Sequence, residues 1–280
     1  MVADHESTLA VDSALAPVAR GELIHIGSDA LHIAIAPEAG GRVAQIRHDG
    51  LEWLVDHSED SRAMIAWGSY PMVPWAGRIR HGQFGFGGRR HALPRNLGAH
   101  AIHGVGFALP WRVDGQGAHD AELSLVLPED ERWPFGGYAH QRFEVSSHAL
   151  RMTLSMTAGD CGMPVVLGWH PWFRKPDRLT FSPTRAYPRD EEGMACLPLV
   201  EPPASPWDDC FINRQPVVLD RAGQHLRLTS DCDHWVVYDE PAHATCVEPQ
   251  SGPPDAFNLG LARYLGPGET VSTWFQLEWF

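Results

Sequence analysis

A chain of 280 residues can bury about three quarters of its extended surface, so a core alone can stabilise it without crosslinks. Its formal net charge of −13 argues against a nucleic-acid partner, because phosphate backbones require a basic face. The five cysteines, Cys161, Cys196, Cys210, Cys232 and Cys246, are scattered and include no Cys-x-x-Cys, which points to free thiols and a reducing compartment rather than to a disulfide framework or a zinc site.

No run approaches the ~20 apolar residues of a membrane span, and residues 1–20 lack a basic stretch followed by an apolar core. The expectation is a soluble cytoplasmic protein with no membrane partner. Residues 1–20 are small, polar and acidic without periodicity, and read as a flexible N-terminal tail ahead of a single domain at 21–280.

From Glu22 onward the apolar residues alternate. Residues 31–36 and 42–48 have the period of two expected of half-buried strands, with Gly40-Gly41 as a turn between them. Asp49-Gly50 is a strong hairpin dipeptide leading into 51–55. Residues 70–103 are rich in Gly, Pro and Arg and predict loops and short hairpins; long irregular segments of this kind are commonly functional. Alternation resumes at 121–127, 141–145 and 149–157.

The run Val165-Val166-Leu167 predicts a buried strand that delivers His170 and stops, since Pro171 has no N–H to donate. Further strands are predicted at 178–181, 216–219, 224–229, 235–238, 245–248 and 270–280. Helical periodicity is nearly absent, so the fold class is all-β, one domain of two packed sheets.

Four places set polar residues among Gly, Pro and aromatics. Arg78, in a Gly-rich loop, can hold a hydroxyl pair in a fork, or be an ordinary solvated arginine. His100 and His103 stand three apart, but no acidic or cysteine ligand lies near them in the sequence, so no metal is expected. Asp208 and Asp209 point to opposite faces of an extended segment, so at most one enters a common pocket. Glu248 is placed where an apolar strand meets Pro249; partial desolvation there raises its basicity, as suits a general base. His170 is flanked by Trp169, Trp172 and Phe173, a setting for a ligand with CH faces and hydroxyl edges.

These blocks, Gly-Arg-Ile at 77–79, His-Gly at 103–104, Gly-Trp-His-Pro-Trp-Phe at 168–173, Asp-x-x-Phe at 208–211 and Val-Glu-Pro-x-x-x-x-Pro-x-x-x-Asn at 247–258, resemble in order and spacing those of the aldose 1-epimerase (galactose mutarotase) family. The resemblance covers about 21–280 and implies a large antiparallel β-sandwich of the galactose-mutarotase type. It implies Glu248 as base, His170 as acid, and Arg78, His103 and Asp208 as substrate-binding residues, with no cofactor and no metal. Asp209 stands where the family often has a histidine, and Gly77 where better-known members have asparagine; both departures bear on the galactose/glucose preference more than on the chemistry.

The implied activity is interconversion of the α and β anomers of a hexose or related sugar, with a small-molecule sugar as the partner of a monomer or weak homodimer. Trp75, Trp169 and Trp172 can supply apolar faces for a sugar or be core residues. Two alternatives stay open. One is a mutarotase for a sugar 6-phosphate, held by the run Arg78, Arg80, Arg89, Arg90 and Arg95. The other is a non-catalytic carbohydrate-binding protein on the same fold.

Overall fold

The computed structural model describes residues 12–58 and 62–280. Among them the chain forms two large antiparallel sheets packed face to face. The ten-stranded sheet runs, edge to edge, through Ile24–Gly27, Leu31–Ala36, Arg42–His48, Ser69–Met72, Gly168–Arg174, Ala244–Gln250, His234–Tyr238, Asp208–Ile212 and Arg185–Ala186, with Leu51–Glu52 paired to Arg42–His48. The eight-stranded sheet runs through Arg112–Gln116, Asp120–Val126, Tyr138–Val145, Ala149–Thr157, Thr270–Trp279, Gln224–Ser230, Val217–Arg221 and Arg178–Thr180.

Period-two alternation assigns the faces. In Ala149–Thr157, Leu150, Met152, Leu154 and Met156 are buried, while their neighbours in the strand are less so. Trp169 and Trp235 of the first sheet both meet Phe275 of the second, at ring separations of 5.9 and 6.2 Å. Each of these side chains contributes about 2–3 kcal/mol by leaving water. Residues 169 and 235 therefore mark the inner face of the ten-stranded sheet, and His170, one position along, points to its other face. Trp75, 3 % exposed, packs on Trp133 in the core at 5.8 Å. Of the three tryptophans considered for a sugar platform, Trp75 and Trp169 are thus core residues.

The predicted strand at 165–167 is corrected in two ways. Met163–Val165 pairs separately with Arg263–Leu265, and the chain then enters the large sheet as Gly168–Arg174. This second strand does not stop at Pro171. It pairs with Ser69–Met72 on one side, placing His170 opposite Tyr70, and with Ala244–Gln250 on the other. Glu248 likewise lies within its strand rather than at its end. The ladder between these two strands holds one register, Gly168↔Gln250 and Trp172↔Cys246, and is interrupted between those pairs. Pro171 and Pro249 have no N–H for its rungs, so a central strand tolerates both prolines at the cost of a local gap. The register carried across that gap sets His170 directly opposite Glu248.

Residues 1–11 of the expected tail lie outside the described residues. Residues 12–18 lie against the body: Ala14 is buried, its N–H donates to the Asn96 carbonyl at 3.0 Å, and the N–H of Met64 donates to the Ala16 carbonyl at 2.9 Å. The folded body therefore takes in part of the stretch that composition assigns to a tail, because a small apolar residue and a few backbone hydrogen bonds are enough to dock it. No helix among the described residues is long and apolar enough to cross a membrane, and all five cysteines are free.

Candidate active site

On the outer face of the ten-stranded sheet lies a cleft of about 350 Å³, lined among others by Arg78, His103, His170, Trp172, Asp208, Tyr238, Glu240 and Glu248. All five residues singled out by the family resemblance line this one cleft. They come from five separate stretches of chain, brought together by strand order and register.

His170 and Glu248 form its floor. His170 Nε2 is 3.1 Å from Glu248 Oε1, and both side chains are more than 90 % buried. Burial raises the Glu248 carboxyl well above its usual range, with the negative charge of Asp208 adding to the effect. Burial pushes the His170 imidazole down to about 3, helped by the positive charges of Arg42 and Arg78. Both shifts favour the uncharged partners, so the contact sets a carboxyl that can donate a proton against an imidazole that can accept one. Gln250 Nε2 donates to the other carboxylate oxygen, Oε2, at 3.2 Å and orients the group.

Three rings surround the imidazole. Tyr70 and Trp172 stack along it with centroids at 4.8 and 5.5 Å, and His103 meets it edge-on at 5.0 Å. His103 is held by a strained turn. Its φ is +61°, and Gly104 follows at +76°. A Cβ at Gly104 would stand 2.1 Å from the Val73 carbonyl oxygen, so only glycine fits. The His103 N–H donates to the Gly77 carbonyl at 3.0 Å. Burial, then the proximity of His170 and Arg78, lowers the His103 pKa well below its usual value and keeps the ring neutral. His100 does not join it: that ring stacks on His81 at 5.5 Å, outside the cleft.

Arg78, in the short strand Arg78–Ile79, makes no side-chain hydrogen bond or ion pair among the described residues, leaving a guanidinium available in the cleft. Its neighbour Gly77 has a φ of +68° and would drive a Cβ to 2.9 Å from Pro254, which accounts locally for glycine at this position. Asp208 lines the cleft and Asp209 does not. The pairings Asp208↔Tyr238, Tyr238↔Cys246 and Val236↔Glu248 place Asp208 on the Glu248 face, and Asp209 on the other. Arg189 Nη1 holds Asp208 Oδ2 at 2.9 Å.

Beneath the site lies Arg42, 0 % exposed, which the sequence reading missed. Its Nε, Nη1 and Nη2 donate to the carbonyls of Ala39 (2.5 Å), Trp67 (3.0 Å) and Phe107 (3.1 Å). The guanidinium lies 4.3 Å from the Trp67 ring and 5.1 Å from that of Tyr70, the ring that stacks on His170. Burial lowers its pKa to about 9. The only sequence signal was an arginine at the start of a strand after Gly40-Gly41, which has no distinguishing pattern.

Comparisons with known proteins bear on the family and the fold. The chain is 23 % identical over 271 residues to the uncharacterized protein YihR of Escherichia coli K12, covering 86 % of this chain and 87 % of that one. Its fold matches a putative aldose 1-epimerase from Escherichia coli K12 with a TM-score of 0.80 at 20 % identity, over 92 % of this chain and 99 % of the other. It also matches a galactose 1-epimerase from Lactobacillus acidophilus NCFM with a TM-score of 0.77 at 19 % identity, over 95 % and 97 % of the two chains. The family model for aldose 1-epimerase matches residues 22–278, nearly the whole sequence, and the chain belongs to that family.

Proposed function

We propose that the protein interconverts the α and β anomers of a free, uncharged hexose or related sugar, with Glu248 and His170 as its acid–base pair. The observation that carries this reading is the 3.1 Å contact between Nε2 and Oε1 on the floor of the cleft. Anomer exchange requires a proton to leave the C1 hydroxyl while another reaches the ring oxygen. The C1–ring oxygen bond breaks to give the open aldehyde, the C1–C2 bond rotates, and the ring closes with the transfers reversed.

A carboxyl that can donate, set against an imidazole that can accept, suits both directions. As the hemiacetal enters, the proton goes to His170, which delivers it to the ring oxygen, while Glu248 takes the C1 hydroxyl proton; on closure they exchange roles. Neutral His103 and the free Arg78 guanidinium hydrogen-bond the sugar's oxygens, Asp208 accepts from a hydroxyl, and Trp172 offers a flat face to CH groups.

Against a sugar 6-phosphate stand the charges around the cleft. Asp208 and Glu240 line it beside Arg78, its one cationic lining residue among the described residues, and the nearby Arg189 is already paired with Asp208. Arg80 is engaged by Asp190 and Glu192, while Arg89 and Arg90 are exposed on the Gln83–Phe86/Arg89–Ala92 hairpin. A purely sugar-binding role gives no reason to bury a carboxyl against an imidazole, which costs free energy without adding a hydroxyl contact.

Polarimetry on freshly dissolved α-D-glucose and α-D-galactose tests the proposal. Wild type should speed the approach to equilibrium, and His170→Asn and Glu248→Gln should each lose about 10²-fold or more. Wild-type rates in both variants, or no acceleration of any neutral aldose, would sink it.

A further inference from the structure

One side chain beside the pair plays no part in the epimerisation proposed above. Cys246 lies two residues before Glu248 on the same strand, hence on the same face, and opposite Trp172. It is fully buried. Its Sγ, a ring nitrogen of His170 and a carboxylate oxygen of Glu248 all lie within 4.8 Å of one another.

We propose that His170, Cys246 and Glu248 form a binding site for a thiophilic divalent cation of the Zn²⁺ type, and that its occupancy switches the enzyme off by tying up the acid–base pair. Around a tetrahedral zinc, nitrogen, sulfur and oxygen ligands stand about 3.3–3.7 Å apart, as follows from bond lengths of about 2.0–2.3 Å. His170 Nε2 and Glu248 Oε1 are already at 3.1 Å. Closing the thiol onto them needs a side-chain adjustment of about 1 Å, which leaves the backbone register untouched.

The carboxylate has outer support of the kind metal ligands need, since Gln250 holds Oε2 and leaves Oε1 free to turn. The buried Nδ1 of His170 has no hydrogen-bond partner among the described residues, and the ring is held instead by the stacked Tyr70 and Trp172. His170 and Glu248 line the cleft, which gives the ion its entry path and leaves its fourth position to water. A sulfur–nitrogen–oxygen set selects zinc or cobalt over magnesium or calcium. Binding displaces the thiol proton and the carboxyl proton, both to solvent; no redox change is involved.

The blockade rests on the proposed epimerase activity, whereas the binding does not, and the two are read separately. Titration of the chelator-treated full-length chain with Co²⁺ should give one equivalent of a thiolate–cobalt charge-transfer band. That band should be absent in Cys246→Ser, in Cys246→Ala and in His170→Asn. Zn²⁺ should inhibit mutarotation, and Cys246→Ser, with its metal-free rate retained, should need at least about tenfold more zinc for half-inhibition. Mg²⁺ should do nothing.

No band in wild type, a band that persists in both Cys246 variants, or equal inhibition by Mg²⁺ would overturn the site. The thermal midpoints of the metal-free variants check that the loss is not unfolding, and His170→Asn supplies the same test through a ligand other than the thiol. A chain that shows the band yet accelerates no aldose keeps the site and loses the activity.

Discussion

At the scale of single residues, Arg42 is the side chain whose environment most needs a physical account. A buried guanidinium is expensive unless its donors are met. Here three carbonyls from separate stretches of chain and two aromatic faces meet them. The arrangement ties residues 39, 67 and 107 together under Tyr70, the ring on which His170 stacks. Lysine has no planar fork to reach all three acceptors, so Arg42→Lys should leave buried carbonyls unmet and cost about 2–3 kcal/mol of stability. Thermal or urea denaturation reads this directly; an unchanged midpoint would mean that these stretches do not depend on the guanidinium.

At the scale of strands, register decides which residues share the cleft. Asp208 and Asp209 are chemically identical neighbours, and only the pairing of their strand with His234–Tyr238 separates them. Asp208→Asn should raise KM by about tenfold or more, the worth of a hydrogen bond to a charged group. Asp209→Asn, on the other face, should leave KM within about twofold. Steady-state kinetics on whichever aldose responds in polarimetry makes the comparison, and equal effects would contradict the period-two assignment. The same logic explains why Trp172 faces the cleft while Trp169 is in the sandwich core.

At the scale of the whole molecule, burying this site couples folding to pH. His103 and His170 are both held neutral by burial, with folded pKa values far below the 6.5 expected when unfolded. As pH falls below about 6.5, the unfolded chain gains two protons that the folded chain refuses, so stability is lost. Glu248 acts oppositely: its folded pKa is raised, so above about 4.5 the folded chain retains a proton that the unfolded glutamate releases, which offsets part of that loss.

Glu248 can offset at most one of the two histidine protons, so the net is at least about one proton, a slope on the order of 1.4 kcal/mol per pH unit, steepening below about 4.5, where the unfolded glutamate is protonated as well. Midpoints measured across pH 4.5–6.5 should therefore fall with acid, and His103→Asn should flatten the dependence. A variant as acid-labile as wild type would remove His103 from this account.

Much of the architecture was legible from local pattern. Strands at Leu31–Ala36, Arg42–His48 and Ala149–Thr157 fall where alternation placed them, because a sheet with one buried face writes its period into consecutive residues. The two-sheet class and the family were readable for the same reason, together with motif blocks that are contiguous in the chain. That Glu248, His170, Arg78, His103 and Asp208 line one cleft was implied only by resemblance.

The sequence misled where neighbours in space override local propensity. Pro171 and Pro249 read as strand ends but are strand interiors, because the missing donors of both fall in the same interrupted stretch of ladder. Residues 12–18 read as a tail but are docked. Nothing in the local pattern marked Arg42, Tyr70 or Cys246 as neighbours of the site. The sequence by itself determined the sandwich and the chemical types available to it; only the tertiary structure decided which carboxylate meets the imidazole, which aspartate joins them and which arginine lies beneath, since those depend on register between strands far apart in the chain.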